Sequence, residues 1–158
     1  MKKILFLALM STTLFSACVR KCTEYSPDMN YFIFGHFYGF CSGEKCIEIY
    51  RLQNNQLHEA INDHYPRRDS AYQGNYVQLS EQFYLDAKEL PAAFPTGLWN
   101  EPNTVIGNPD ETDGGGLYIE YNYNGLRKFW LIDNNEQKVP IAYHAFMEQV
   151  RNIIGRLP

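Results

Sequence analysis

The dipeptide Asn124-Gly125 constrains this chain more than any other feature. It sits in the middle of GLYIEYNYNGLRKFWLID, between two runs rich in aromatic and β-branched residues. Both positions of a two-residue hairpin turn need positive φ, which Asn and Gly tolerate. Folding the chain about this turn pairs Tyr123 with Leu126, Ile119 with Trp130, and Leu117 with Ile132. One face then collects Leu117, Ile119, Tyr121, Trp130 and Ile132, while Asn122 meets Arg127 on the other. A slip of one residue would turn every apolar side chain to the wrong face, so turn chemistry and burial agree on one register.

A second strand signal is YFIFGHFYGF, residues 31–40. Phe32, Phe34, His36, Tyr38 and Phe40 alternate with Tyr31, Ile33, Gly35, Phe37 and Gly39. Apolar residues on both faces predict a central strand covered on both sides. The two glycines leave room for an element to approach closely. CIEIYRL, the turn QNNQ and LHEAI predict a further hairpin over residues 46–61. Residues 62–76 are polar and irregular.

Helical spacing appears twice. In residues 79–90, Leu79, Phe83 and Leu90 share a stripe, Ser80 suits the cap, and Pro91 is expected to end the helix. In PIAYHAFMEQVRNIIGRL, Tyr143, Phe146, Met147, Val150, Ile153, Ile154 and Leu157 recur at helical spacing, with Pro140 in the first turn. Between them, residues 91–116 form a long Pro- and Gly-containing loop with a helical turn near Ala92–Phe94. Loops of this length often carry function. The expected fold class is α+β: an antiparallel sheet of two hairpins plus the aromatic central strand, with two helices packed on one face.

The N-terminus reads as a targeting segment. Lys2 and Lys3 precede a short apolar run, Ile4 to Met10, and small or polar residues lead to Cys18. The run is too short for a stable membrane span. Residues 14–17, LFSA, before Cys18 resemble a bacterial lipobox, which makes Cys18 the acylated N-terminus. An ordinary signal peptidase cut near Ala17 or Cys18 is the alternative. Several acyl chains on one cysteine give stable anchoring. The expected organisation is a signal peptide over 1–17, a lipidated cysteine and tether over 18–30, and one domain over 31–158. Val19, where an aspartate would favour inner-membrane retention, points to the outer membrane of a bacterial envelope. Removing residues 1–17 takes away two lysines and moves the formal charge from −4 to about −6. With Arg67-Arg68 the densest basic cluster, no nucleic-acid surface is expected.

Cys22, Cys41 and Cys46 remain once Cys18 carries lipid. A metal triad of His36, Cys41 and Cys46 conflicts with strand geometry. Five steps separate His36 from Cys41, roughly 16 Å along an extended strand, and the odd count points them to opposite faces. The pair Cys41 and Cys46 instead faces across the base of a four-residue loop, within disulfide reach. A structural disulfide ranks above free or otherwise paired thiols, and above a redox or metal pair. His36 reads as a hydrogen-bonded core or interface histidine, and His58 and His64 as surface histidines. HEAIN, residues 58–62, departs from the zinc-protease pattern at Asn62 and lies in a predicted strand.

NPDETDGGG, residues 108–116, offers Asp110, Glu111 and Asp113 to a hard cation such as calcium. The competing reading is a turn-rich entry to the hairpin. No Gly-x-Ser-x-Gly occurs. Asp69-Ser70-Ala71 resembles the acceptor motif of some bacterial envelope O-glycosylation systems, with a solvated loop residue as the plain alternative.

FGHFYGFCSGEKCIEIYRL, the Gly107–Asp110 segment before GGGLYIEY, and the final amphipathic helix resemble a family of small bacterial envelope lipoproteins of unknown function. The resemblance spans most of residues 31–158. Similar proteins carry cysteines around the Pro-Asp loop, where this chain has Asn108 and Glu111, so no thiol or metal role passes to that loop. The family brings no activity. The expected function is a lipid-anchored envelope protein, a binding or structural module facing an envelope protein or glycan. A divalent-cation-binding protein using loop 108–116 is the alternative, and an enzyme built in the long loop ranks third.

Overall fold

The structure, a computed structural model, describes residues 30–158. The expected signal segment, Cys18, Cys22 and the expected tether up to residue 29 lie outside the described residues. Seven strands form one open sheet among the described residues. They are β1 (Tyr31–Phe37), β2 (Ile47–Gln53), β3 (Gln56–Ala60), β4 (Tyr76–Gln78), β5 (Val105–Ile106), β6 (Gly116–Tyr123) and β7 (Leu126–Asp133). The order is β4-β3-β2-β1-β6-β7-β5, so the aromatic strand β1 is central, as its two apolar faces predict. All neighbours are antiparallel except β5, which runs parallel to β7.

Both hairpins form at the expected turns. Asn124 and Gly125 have φ of 53° and 79°, and Asn54 and Asn55 in QNNQ have φ of 52° and 57°. The expected pairs Tyr123–Leu126, Asn122–Arg127, Ile119–Trp130 and Leu117–Ile132 are all in register. Phe34 lies opposite Tyr50 on one side and Ile119 on the other, and Ile119 lies opposite Trp130. This row of four large side chains is buried and floors the main core.

The helices α1 (Glu81–Ala87), α2 (Leu90–Ala93) and α3 (His144–Ile154) join that core from one face. In α3 the buried residues are Phe146, Met147, Val150, Ile153 and Ile154, the predicted stripe. The helix expected over 79–90 is corrected. It ends at Ala87, and Pro91 sits in the first turn of α2 instead of stopping α1. Proline loses nothing there, because a first-turn N–H has no intrahelical partner. Ser80 occupies the cap position without a capping hydrogen bond.

The second face is also covered. Ile33, Phe37, Ile49, Ala60, Tyr118 and Leu131 are buried there together with Tyr72, from the irregular segment 61–75. The Tyr72 N–H donates to the Tyr118 hydroxyl at 2.8 Å, and the Tyr65 ring packs edge-on to Phe37 at 5.2 Å. Polar sequence therefore conceals a layer held by a few tyrosines. Beneath it Glu120 is fully buried and accepts from Tyr31, Tyr118 and Arg127.

The disulfide joins Cys41 and Cys46, with Cα atoms 5.7 Å apart. Its setting differs from the expected four-residue hairpin loop. Pairing of β1 with β2 ends at Phe37–Ile47, and the Tyr38 N–H donates to the Cys46 carbonyl at 2.9 Å. The connection thus runs over residues 38–46, and the bond ties an exposed Cys41 back to a buried Cys46. Closing so short a loop stabilises by about 2 kcal/mol in the chain-entropy account.

Candidate functional site

Of the residues singled out in the acidic loop, Asp110 is committed to holding it together. Asp110 has φ of 64°, and its Oδ1 accepts the Gly115 N–H at 3.0 Å. Its Oδ2 accepts the Tyr65 hydroxyl, also at 3.0 Å. The same oxygen sits where a Cβ on Gly39 would be, 2.1 Å away, so the loop is the element that Gly39 makes room for. Glu111 pairs with Lys138, whose ammonium holds its carboxyl below the usual range. Asp113 is exposed with φ of 55°. No group of three or more His, Cys, Asp or Glu is arranged to hold a metal ion among the described residues. The loop conformation consumes the Asp110 carboxylate as an acceptor for its own closure.

Ser70 is exposed and donates to Asp69 at 3.2 Å, beside the Arg67–Asp69 ion pair. His64 is exposed and bonded to Asn62. His58 departs from the expected surface histidine. It is half-buried on the second face, paired in register with Arg51, and burial lowers its pKa. The guanidinium of Arg51 lies 4.1 Å over the Tyr76 ring.

The arrangement most like a binding site lies at the C-terminal end of β1. A cleft of about 280 Å³ opens between the C-terminal end of β1, the start of β2 and the residues after α3. Its lining includes His36, Tyr38, Lys45, Glu48, Tyr50 and Arg151. Pairing of β1 with β2 puts His36 beside Glu48, and alternation puts Tyr50 on the same face. His36 Nε2 bonds to the Lys45 carbonyl at 3.0 Å, and its ring packs on Tyr38 at 5.2 Å. This is the hydrogen-bonded histidine the sequence predicts, with Cys41 and Cys46 spent on their disulfide.

Glu48 is the unusual member. It is only 8 % exposed. Its carboxyl meets the Tyr50 hydroxyl at 3.2 Å and shares a hydrogen bond with Glu59 from β3. Burial, and then the charge of Glu59, push its pKa up to about 7. Burial also raises the Tyr50 hydroxyl and lowers His36. Near neutrality the cleft thus holds a neutral imidazole and a carboxyl group that can still carry its proton.

This raised value has a stability consequence. The unfolded Glu48 titrates near 4.5. A folded pKa above the unfolded one means the folded state holds the proton more tightly. The stabilising contribution is complete below pH 4.5 and is lost as pH rises through about 7. The swing is about 3 kcal/mol. Glu48→Gln is expected to flatten the fall in stability between pH 5 and pH 8, read from urea midpoints at the two pH values. A variant that keeps the wild-type slope would remove Glu48 as its source.

Sequence reasoning singled out His36 but not Glu48, Tyr50 or Arg151. The available signal was the β1–β2 register, which makes Glu48 the neighbour of His36 once the hairpin connection is known. No protein-family model, curated protein or solved structure matches the chain. The class that fold and cleft define is an open, largely antiparallel α+β domain with a polar cleft at one end of its central strand.

Proposed function

We propose that the chain is a lipid-anchored protein of a bacterial envelope, attached through Cys18 at the outer membrane, and that its domain is a binding module. The observation that carries the reading is the position of the cleft relative to the point where the anchor segment joins. Asn30 leads into the start of β1, while His36 and Tyr38 line the cleft at its far end. The six steps of β1 span roughly 20 Å. A domain held from its N-terminal side therefore presents the cleft away from the attachment point. The cleft also collects titratable and hydrogen-bonding groups from strands β1 and β2, their connection and helix α3, as a recognition site requires. The class of partner is an envelope protein or glycan. No helix among the described residues is long and apolar enough to cross a membrane.

Intact-mass analysis of the protein isolated from membranes tests the anchor. The expected mass is that of a chain beginning at Cys18 with acyl groups attached, and Cys18→Ala should move the protein to the soluble fraction. A mature N-terminus lacking Cys18 would overturn the address. A photo-crosslinking residue at Tyr38 should capture an envelope component that the same residue at exposed Glu81 does not. Equal capture at both positions would remove the cleft as the binding site.

A further inference from the structure

Arg151 is incompletely used by the fold. Both terminal nitrogens of its guanidinium donate to a single oxygen, Glu136 Oε1, at 3.0 Å. Its Nε–H is buried and has no hydrogen-bond partner among the described residues. Asn134, on the same cleft, donates its amide to the Gly114 carbonyl at 2.9 Å, and its own Oδ1 is buried and unpaired among the described residues. Buried polar atoms are rarely left unmatched in folded proteins, because each costs the desolvation of that group. Here one unmatched donor and one unmatched acceptor belong to residues lining one cleft. Lys45, exposed at the cleft, forms no ion pair among the described residues.

These groups describe a ligand. A lysine ammonium and the free edge of a guanidinium suit a carboxylate, since the Nε edge of arginine is one half of its planar fork. The lone acceptor on Asn134 suits a hydroxyl or amide N–H near that carboxylate. At about 280 Å³ the cleft suits one sugar ring or one amino-acid-sized group. We propose that the cleft binds a small carboxylate-bearing ligand, with the carboxylate on Lys45 and the Nε edge of Arg151, and a neighbouring hydroxyl or amide N–H on Asn134 Oδ1. The Arg151 side chain is 34 % exposed, so it can turn from its single Glu136 oxygen to present that edge. The inference rests on the cleft being the binding site of the module.

Protons favour this binding. Glu48 faces His36 from β1, Tyr50 on its own strand and Glu59 from β3, feels the charge of Asp63 from segment 61–75, and shares the cleft with Lys45 and Arg151. While protonated it adds no charge against a bound carboxylate. Its ionisation as pH rises through about 7 places a second negative charge beside the ligand. Affinity therefore falls as pH rises.

Nuclear magnetic resonance titration of the full chain tests the proposal, read at the Arg151 Nε–H and the Lys45 amide. The probes are glucuronate and N-acetylglycine, their neutral counterparts glucose and N-acetylglycinamide, and inorganic phosphate. A carboxylate probe should shift both resonances and bind about tenfold more tightly than its neutral counterpart. Which of the two binds distinguishes a sugar acid from a peptide terminus. Lys45→Ala, in an exposed loop, and Arg151→Lys should each weaken binding about tenfold. Binding should be tighter at pH 6 than at pH 8. Equal binding of neutral probes, tighter binding of phosphate, or unmoved Arg151 and Lys45 resonances would overturn the proposal. If carboxylates fail while crosslinking at Tyr38 still captures an envelope component, the ligand class falls and the module reading stands. If carboxylates bind but Cys18 carries no lipid, the ligand class and the binding module stand and the anchor falls.

Discussion

Glu120→Ala is expected to destabilise the domain by about 3 kcal/mol. The Glu120 side chain has no solvent exposure. Its Oε1 accepts the Tyr31 hydroxyl at 2.8 Å and the Arg127 Nε–H at 2.6 Å, and its Oε2 accepts the Tyr118 hydroxyl. Truncation leaves the Tyr118 hydroxyl buried with one acceptor fewer, and Tyr118 is itself fully buried. Arg127 is 43 % exposed and can turn to water, which keeps the cost at the lower end for breaking a buried pair. Urea unfolding at pH 7 with an unchanged slope measures it. A loss under about 1 kcal/mol, the scale of an ordinary hydrogen bond, would mean that the three partners do not depend on Glu120.

Phe94→Ala should cost about 3–5 kcal/mol and lower the melting temperature by roughly 10 °C. Phe94 is 7 % exposed and stands at the junction of the two sides of the main core. Its ring lies 5.2 Å from Tyr121, 5.5 Å from Trp130, 5.9 Å from Phe146 and 6.2 Å from Phe32. Strand and helix residues therefore meet through one side chain from the connection between α2 and β5. Alanine there removes the ring and leaves a cavity that rigid aromatic walls cannot close. Phe94→Leu should lose less, because it retains most of the volume. Equal losses for the two variants would show that edge-on ring geometry, not filled space, sets the cost.

These residues differ in how far the sequence exposes them. Phe94 lies in a stretch of prolines and glycines, where no periodicity marks a buried side chain. Glu120 lies in a strand whose alternation puts it opposite Ile119, on a face that would meet water if nothing covered it. The cover is segment 61–75, whose composition is that of a loop. The two-residue strand β5 is too short to alternate. In the acidic loop, Asp110 and Glu111 stand out by residue type, yet their partners Tyr65 and Lys138 lie far along the chain in opposite directions.

Local chemistry alone determined the register about Asn124-Gly125, the hairpin at Asn54-Asn55, the two-faced character of β1, the apolar stripe of α3 and the closeness of Cys41 to Cys46. Each depends on turn φ angles or on a repeat of two or 3.6 residues, which neighbours in sequence express directly. Only the tertiary structure decided what lies over the second face, which side chain joins sheet to helices, and that His36 and Glu48 meet Arg151 in one cleft. Those contacts join residues far apart in the chain, from about thirty positions for Phe37 and Tyr65 to about a hundred for Glu48 and Arg151. The sheet order that brings them together follows from burying both faces of β1 at once, a condition on the whole chain that no single segment carries.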